Sequence, residues 1–305
     1  MSGDTTDMHS DDSSILLARE GALARVRFNR PASLNAMGFA MGRLWRDIAR
    51  EITSDDTVGA VLIEASGPAF CAGGDVREMA TSGADGGAVT ETAHVIHDGI
   101  RAFVESSTPV VAAVQGAVAG GGLGLMLAAD YIVASESARF VSKYAEIGLT
   151  PDLGVSTLLP AAIGQRRALR MLLQDVTIDA ATALDWGLVT EVVPAAEVAE
   201  RALAVGRSWL TGATGAYGQA KRLIRAGAER DDAVVDLAAD FVEARLPLKD
   251  AAGIDIHVVG HAAIGFRIGA DLHDRGNGRP DHRAAAGDEQ HGMAAAGDEF
   301  GDLGI

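Results

Sequence analysis

Hydrophobic and polar positions in the first half of the chain follow two alternating periods, one typical of strands and one typical of helices. Residues 22–29, ALARVRFN, alternate as a half-buried strand does, and the apolar runs at 59–66 and 108–116 predict two buried strands. Apolar residues recur at helical spacing in residues 41–52 and again over about residues 88–106. Strands and helices that succeed one another in this way predict an α/β fold.

From Gly154 the periodicity is mostly helical as far as residue 246, and then it fades. Residues 247–305 are rich in Gly, Ala, Asp and His and contain AAAGDE twice, which predicts a low-complexity, poorly ordered tail. His257 and His261 are spaced for one helix face, but we interpret them as solvated residues of the tail, and no metal site is predicted. Residues 1–13 are acidic and lack an apolar core, which predicts a disordered leader rather than a signal peptide.

Composition narrows the possible partners. The 305 residues carry a net charge of −16, which argues against binding to nucleic acid or to anionic membranes because both require a basic face. No run of about 20 apolar residues is present, so no membrane span is predicted. Cys71 is the single cysteine, which excludes internal disulfides and fits a cytoplasmic protein. We expect Cys71 to be a small buried side chain rather than a nucleophile.

Two glycine-rich turns each follow a predicted strand. The segment VAGGGLGLML, residues 118–127, holds three consecutive glycines and a fourth two residues further on. It matches neither a phosphate-binding loop nor the dinucleotide fingerprint, and the chain has no G-x-S-x-G nucleophile elbow. The other turn is GPAFCAGGDV, residues 67–76. Two such turns can direct two backbone N–H groups at one oxygen, which is the requirement for an oxyanion hole.

Four ordered motifs carry a resemblance to a known family. They are AFCAGGDV, PVVAAVQGAVAGGGLGLMLAADYIVAS, ARFVSKYAEIGLTPDLG and ALDWGLVTEVV. Over about residues 14–245 the chain resembles the enoyl-CoA hydratase/isomerase (crotonase) family. The resemblance implies a crotonase-like spiral of ββα units over residues 14–195, followed by a helical C-terminal trimerisation region over residues 196–246. It also implies a homotrimer or dimer of trimers and an acyl-CoA substrate, with no separate cofactor because CoA is part of the substrate.

The same resemblance implies which residues hold the substrate. The oxyanion donors fall on the backbone N–H groups of Gly74 and Gly121. The segment RPASLNAM resembles the family's loop over the CoA nucleotide and pantetheine. The implied substrate contacts besides the two donors are Ala32, Leu34, Ala72 and Val76. Asp75 is expected to cap the helix that follows it rather than to act in catalysis.

Hydratases of this family use two glutamates, and neither is present. Their positions fall on Gly124 and Tyr144, and Glu146 lies two residues away from the second position. The remaining carboxylate is Asp152 in GLTPDLG, where an aspartate commonly caps a helix. The resemblance implies a catalytic role for Asp152, because some isomerases and a dehalogenase branch of the family have their working carboxylate at this position. A carboxylate in an apolar pocket has a raised pKa, which suits a base that removes a proton next to a thioester.

His97 lies on the predicted helix before the third strand and has two interpretations. It matches a histidine of the 4-chlorobenzoyl-CoA dehalogenase branch, which carries a tryptophan where this chain has Tyr144. Otherwise it is an ordinary helix residue. We therefore interpret the chain as an enoyl-CoA isomerase with Asp152 as base and with Tyr144 and His97 as further candidates. A hydratase, a dehalogenase-like enzyme and a non-catalytic acyl-CoA binding protein are the alternatives.

Overall fold

The structure, a computed structural model, describes residues 5–7, 13–84 and 86–227. The predicted tail 247–305, with His257 and His261, lies outside these residues, and the helical region 196–246 is described as far as residue 227. Within the described ranges, no helix combines the length and apolarity needed to cross a membrane, and no three metal-binding side chains cluster together.

Ten strands run through the described residues. They are β1 (Thr5–Asp7), β2 (Ile15–Glu20), β3 (Leu23–Phe28), β4 (Ala60–Ala65), β5 (Val110–Val114), β6 (Ala117–Ala119), β7 (Tyr131–Ser135), β8 (Arg139–Val141), β9 (Ile178–Asp179) and β10 (Glu191–Val193). The prediction of strands at 22–29, 59–66 and 108–116 is confirmed, because these are β3, β4 and β5. Strand β1 lies in the segment predicted as a leader, where it pairs with β2, and residues 1–4 and 8–12 of that segment are outside the described ranges.

The strands form two sheets. The larger sheet has the order β1-β2-β3-β4-β5-β7-β10, and the smaller one has the order β6-β8-β9. In the larger sheet the first two pairings are antiparallel and all later ones are parallel. Parallel neighbours need crossover connections, and helices supply them here. The predicted α/β class is therefore confirmed.

Nine helices occur in the same residues. They are α1 (Phe39–Thr53), α2 (Val76–Thr81), α3 (Gly86–Glu105), α4 (Gly121–Leu127), α5 (Val155–Ile163), α6 (Gln165–Gln174), α7 (Ala180–Trp186), α8 (Val198–Leu210) and α9 (Thr214–Gly227). The helices predicted at 41–52 and about 88–106 correspond to α1 and α3. From α5 onwards helices dominate, as the periodicity predicts.

The two faces of the larger sheet are both covered. Because side chains alternate along a strand, Val61 and Ile63 pack on the side of α1 and α3, while Ala60 and Leu62 pack on the side of α8. Trp45 on α1 is fully buried and donates its indole N–H to the Ile96 carbonyl of α3 at 3.2 Å. This pairing fixes α3, which later forms one wall of the candidate site.

A buried ion pair attaches α9 to the body of the fold. The Lys221 ammonium contacts an Asp130 carboxylate oxygen at 2.9 Å and donates to the carbonyls of Phe103 and Thr108 at 2.7 and 2.8 Å. Burial lowers the pKa of Lys221, and the charge and hydrogen bond of Asp130 oppose that change. Lys221 therefore joins the end of α3 and the start of β5 to the last described helix.

Candidate active site

The two glycine-rich turns lie against each other. Gly73 has φ +96°, and a Cβ added to it would lie 2.9 Å from the Ala119 carbonyl oxygen and 3.5 Å from the Gly121 nitrogen. A side chain at Gly122 would lie 2.3 Å from the Cys71 carbonyl oxygen. Glycine is required here because the backbones of the two turns occupy the space of any side chain.

The two N–H groups expected to be oxyanion donors are unengaged. Gly121 is the first residue of α4, so its N–H has no partner within the helix, and Gly120 before it provides no side-chain cap. Neither the Gly121 N–H nor the Gly74 N–H donates to any acceptor within the described part of the chain. Both therefore retain a hydrogen bond for a ligand.

Asp152 and Tyr144 form a direct pair. The Tyr144 hydroxyl lies 2.7 Å from Asp152 Oδ1 and 3.4 Å from the Asp152 carbonyl oxygen. Asp152 does not cap α5, because Gly154 occupies the N-cap position and no side chain accepts a hydrogen bond there. The cap interpretation of Asp152 is thus wrong: the turn brings its backbone carbonyl, rather than its carboxylate, to the Val155 N–H at 2.9 Å.

On balance the surroundings of Asp152 raise its pKa above the usual range of an aspartate. Burial raises the pKa of the Asp152 carboxyl, while the Tyr144 hydrogen bond and the charge of His97 oppose that rise. Burial also raises the pKa of Tyr144, and the adjacent Asp152 charge adds to this effect. Tyr144 is therefore a neutral donor, and Asp152 is a stronger base than an exposed aspartate.

A cavity of about 150 Å³ joins these groups. The expected donors Gly74 and Gly121 line it together with Tyr144 and Asp152. Helix α3 contributes one face of the cavity, with residues at helical spacing: Val89, Thr92, Ala93 and Ile96. Apolar side chains from other elements also line the cavity: Met37, Met79, Ile147, Leu149 and Leu153. A mostly apolar lining with a few convergent polar groups is the usual form of a ligand site.

The first hydratase position has no space for a side chain. A Cβ added to Gly124 would lie 1.8 Å from the Leu153 carbonyl oxygen and 2.9 Å from its carbonyl carbon. Both are backbone atoms, so no rotamer change of Leu153 removes the clash. The loop that carries Asp152 thus occupies the space that a glutamate at Gly124 requires.

Other residues expected near the substrate lie at different distances from the cavity. Ala72 and Val76 line it. Ala32 and Leu34 are exposed and do not line it, although the Leu34 carbonyl accepts the Ala72 N–H at 3.0 Å. His97 is also exposed and outside the lining, and its link to Asp152 is its charge, which opposes the rise in the pKa of that carboxyl.

Three further expectations can be compared with the geometry. Asp75 caps α2 by accepting the Glu78 N–H at 3.0 Å, as predicted, and it pairs with Arg30 at 2.9 Å. Cys71 is fully buried, and burial raises its pKa to about 12, so it is a thiol at neutral pH. Glu146 lies at the edge of the cavity, where it is paired with Lys143.

Sequence patterns did not indicate two residues that shape the cavity. The Leu153 carbonyl fills the space at Gly124, and Ser142 lies fully buried in the lining. For Leu153, the available signal was the combination of the GLTPDLG turn with a glycine, Gly124, at a position where hydratases have a glutamate. Nothing in the sequence distinguishes Ser142 from other serines.

Comparisons with known proteins identify the family of this chain. The model of the family described as enoyl-CoA hydratase/isomerase matches residues 18–243. The chain is 30% identical over 230 residues to 1,2-epoxyphenylacetyl-CoA isomerase of Escherichia coli, covering 74% of this chain and 88% of the relative. It is 31% identical over 227 residues to 4-chlorobenzoyl coenzyme A dehalogenase-1 of Arthrobacter sp, covering 72% and 80%.

A solved structure shares the fold. The crystal structure of an enoyl-CoA hydratase from Mycobacterium avium subsp. paratuberculosis K-10 superposes with a TM-score of 0.65 at 33% identity. The match covers 71% of this chain and 83% of the hydratase. The spiral architecture expected from the four motifs is therefore confirmed.

Proposed function

Because the chain belongs to the enoyl-CoA hydratase/isomerase family, we propose that it binds an acyl-CoA thioester and shifts a carbon–carbon double bond in the acyl group. The observation that carries this proposal is that Asp152 is the carboxylate of the described cavity lining without a salt-bridge partner, since the other, Glu146, is paired with Lys143. Asp152 lines the cavity together with the Gly74 and Gly121 backbones, whereas the Leu153 carbonyl excludes a side chain from position 124.

The reaction needs two groups of this chain. The N–H groups of Gly74 and Gly121 hold the thioester oxygen, on which negative charge develops. Asp152 removes a proton from C2 of a 3-enoyl thioester, the electrons delocalise into the thioester, and the carboxylic acid returns the proton to C4. The product is the conjugated 2-enoyl thioester, and Asp152 is again a carboxylate. Loss of one such donor costs about 3 kcal/mol of transition-state stabilisation in comparable sites.

Tyr144 positions the base. Its hydroxyl binds Oδ1 of Asp152 at 2.7 Å, so we assign the proton transfer to Oδ2. The same hydrogen bond opposes the rise in pKa that burial causes. Asp152 thereby remains ionised over a wider pH range than burial alone would permit, which a general base requires.

A dehalogenase-like reaction is the second candidate. Two observations favour it. Asp152 accepts a hydrogen bond from the aromatic residue eight positions earlier, Tyr144, and the chain is similar to the Arthrobacter dehalogenase. There the carboxylate would attack a 4-chlorobenzoyl ring as nucleophile. The exposed position of His97, outside the cavity lining, weighs against this candidate.

The test is turnover by the full chain. A 3-enoyl-CoA is supplied and the absorbance of the conjugated thioester is followed, while 4-chlorobenzoyl-CoA is tested separately for chloride release. We expect isomerisation, and we expect Asp152→Asn to reduce kcat by at least about 100-fold, the lower range for a general base. Asp179→Asn is the matched control, because Asp179 caps α7 by accepting the Thr182 N–H at 2.8 Å and asparagine caps equally well.

Each outcome discriminates between the candidates. Unchanged turnover in Asp152→Asn contradicts the assigned base. Chloride release without isomerisation favours the dehalogenase-like reaction. Tight binding of both thioesters with no conversion favours a non-catalytic binding protein. On family grounds we also propose a homotrimer or dimer of trimers, which sedimentation of the full chain measures.

A further inference from the structure

Ser142 is a buried hydroxyl for which the fold provides no partner. It follows β8, is fully buried, and lines the same cavity as Tyr144 and Asp152. Within the described residues its Oγ has no hydrogen-bond partner. A buried polar group without a partner costs about 1–3 kcal/mol, and native structures leave few of them. The hydroxyl therefore requires an explanation.

Two comparisons show that Ser142 is unlike other buried polar groups of the chain. Ser135 is also fully buried, but its Oγ lies 2.8 Å from the Ser137 hydroxyl and accepts the Ser137 N–H at 3.2 Å. Among the described side chains, the other buried atom without a partner is Arg25 Nε. That guanidinium binds Glu64 through another nitrogen at 2.9 Å, so the Arg25 side chain does have a partner. Ser142 has no side-chain interaction of this kind.

The backbone of Ser142 lies beside the turn that carries the expected oxyanion donor. A Cβ added to Gly120 would lie 3.4 Å from the Ser142 carbonyl oxygen, and Gly120 directly precedes Gly121. The other polar groups of the site have assigned partners: the two glycine N–H groups hold the thioester oxygen, and Tyr144 binds Asp152. An oxygen atom within the first carbons of the acyl group is the ligand chemistry that remains for Ser142.

We propose that the Ser142 hydroxyl hydrogen-bonds an oxygen substituent on the acyl group, and that the protein thereby selects oxygenated over plain acyl thioesters. The proposal rests on acyl-CoA binding as given above, but not on the double-bond shift. Because the lining around Ser142 is mostly apolar, a single hydroxyl there is a specificity determinant. A site built to hydrogen-bond a substrate oxygen discriminates against the analogue without it, since the buried polar group then stays unpaired.

The experiment uses three thioesters without a double bond that the proposed isomerisation could shift: butanoyl-CoA, 3-hydroxybutanoyl-CoA and freshly prepared 4-hydroxybutanoyl-CoA. Calorimetry with the full wild-type chain is expected to show at least one hydroxy derivative binding about tenfold more tightly than butanoyl-CoA, the range of one hydrogen bond. Ser142→Ala is expected to abolish that preference and to change the affinity for butanoyl-CoA less than about twofold. Ser135→Ala is the matched control and is expected to keep the preference.

Thermal unfolding of the free variants provides an independent readout. Ser135→Ala removes a satisfied hydroxyl and should lower Tm by several degrees, whereas Ser142→Ala removes an unsatisfied one and should leave Tm unchanged or raise it. Equal affinity of the wild type for all three thioesters would overturn the proposal. So would an equal loss for all three in Ser142→Ala, or a Tm loss as large as that of Ser135→Ala. Failure of the double-bond shift appears separately, as absent turnover of a 3-enoyl-CoA.

Discussion

The sharpest consequence of the geometry concerns Gly124, at which the smallest possible side chain should disable the site. Ala is a better helix former than Gly by about 1 kcal/mol, so Gly124→Ala within α4 would otherwise stabilise the protein. The added Cβ, however, meets the Leu153 carbonyl oxygen at 1.8 Å, and real Cβ contacts are essentially never below 3.0 Å. Leu153 directly follows Asp152, so relief of the clash moves the base.

The size of the effect follows from that displacement. The separation has to increase by more than about 1 Å, and a misplacement of that order can cost about 100-fold in rate. Overpacking costs about 1–3 kcal/mol, and a clash with backbone atoms belongs to the upper part of that range, of which the gain in helix propensity offsets about 1 kcal/mol. We therefore expect Gly124→Ala to lower kcat about 100-fold and to lower the free energy of unfolding by about 1–2 kcal/mol.

The assay measures the turnover number for isomerisation of a 3-enoyl-CoA, together with urea unfolding, in the wild type and two variants. Gly215→Ala on α9 is the control, because a Cβ there meets nothing within 4 Å, and it should retain wild-type turnover and lose no stability. Gly124→Ala with wild-type turnover would refute the inference that the 152–154 loop is held in one position against α4. Wild-type stability of Gly124→Ala would refute the clash itself.

Three other variants have expected outcomes. Tyr144→Phe removes a hydrogen bond that lowers the pKa of Asp152, so the acid limb of the kcat/KM profile should move to higher pH; an unmoved limb contradicts this. Burial raises the folded-state pKa of Asp152 above its unfolded value, so its contribution to stability diminishes as pH rises through the folded pKa. Urea unfolding of Asp152→Asn should therefore show a stability gain over wild type that is larger at pH 8 than at about pH 4, near the ordinary aspartate pKa, and an equal gain at both contradicts the cause given. Lys221→Ala leaves Asp130 without its buried ammonium and should lower the free energy of unfolding by about 3 kcal/mol, whereas exposed Arg222→Ala should change it by less than about 0.5 kcal/mol.

The spacing of apolar residues predicted the strands and helices well, because in this chain the apolar positions are the ones that the fold buries. Residues 22–29 alternate, and β3 does carry its side chains alternately to α8 and to the α1 and α3 face. The continuous apolar runs at 59–66 and 108–116 became β4 and β5, which are buried on both faces. The order of the sheet and the register of its strands are long-range properties, and periodicity does not contain them.

The site was predictable only in part. The sequence predicts that the two glycine-rich turns lie close together, because each of them follows a predicted strand. In the structure Gly73 does lie against the turn that contains Gly121. Pro151 and Gly154 predict a turn at Asp152, and in such a turn the aspartate could be either a helix cap or a catalytic base. Only the path of the backbone shows that its carboxylate contacts Tyr144 instead of capping α5. The unpartnered state of Ser142 depends on every atom around it, which no sequence motif encodes.

The central claim is that one carboxyl, Asp152, both removes and returns the proton. It is tested most directly with a 3-enoyl-CoA that carries deuterium at C2, followed by NMR of the 2-enoyl product after reaction in ordinary water. Proton removal and return by the Asp152 carboxyl predicts deuterium from C2 at C4 of the product, and product formation at least about 100-fold slower in Asp152→Asn. A product whose C4 hydrogen comes entirely from solvent, formed at an undiminished rate by Asp152→Asn, would contradict the account.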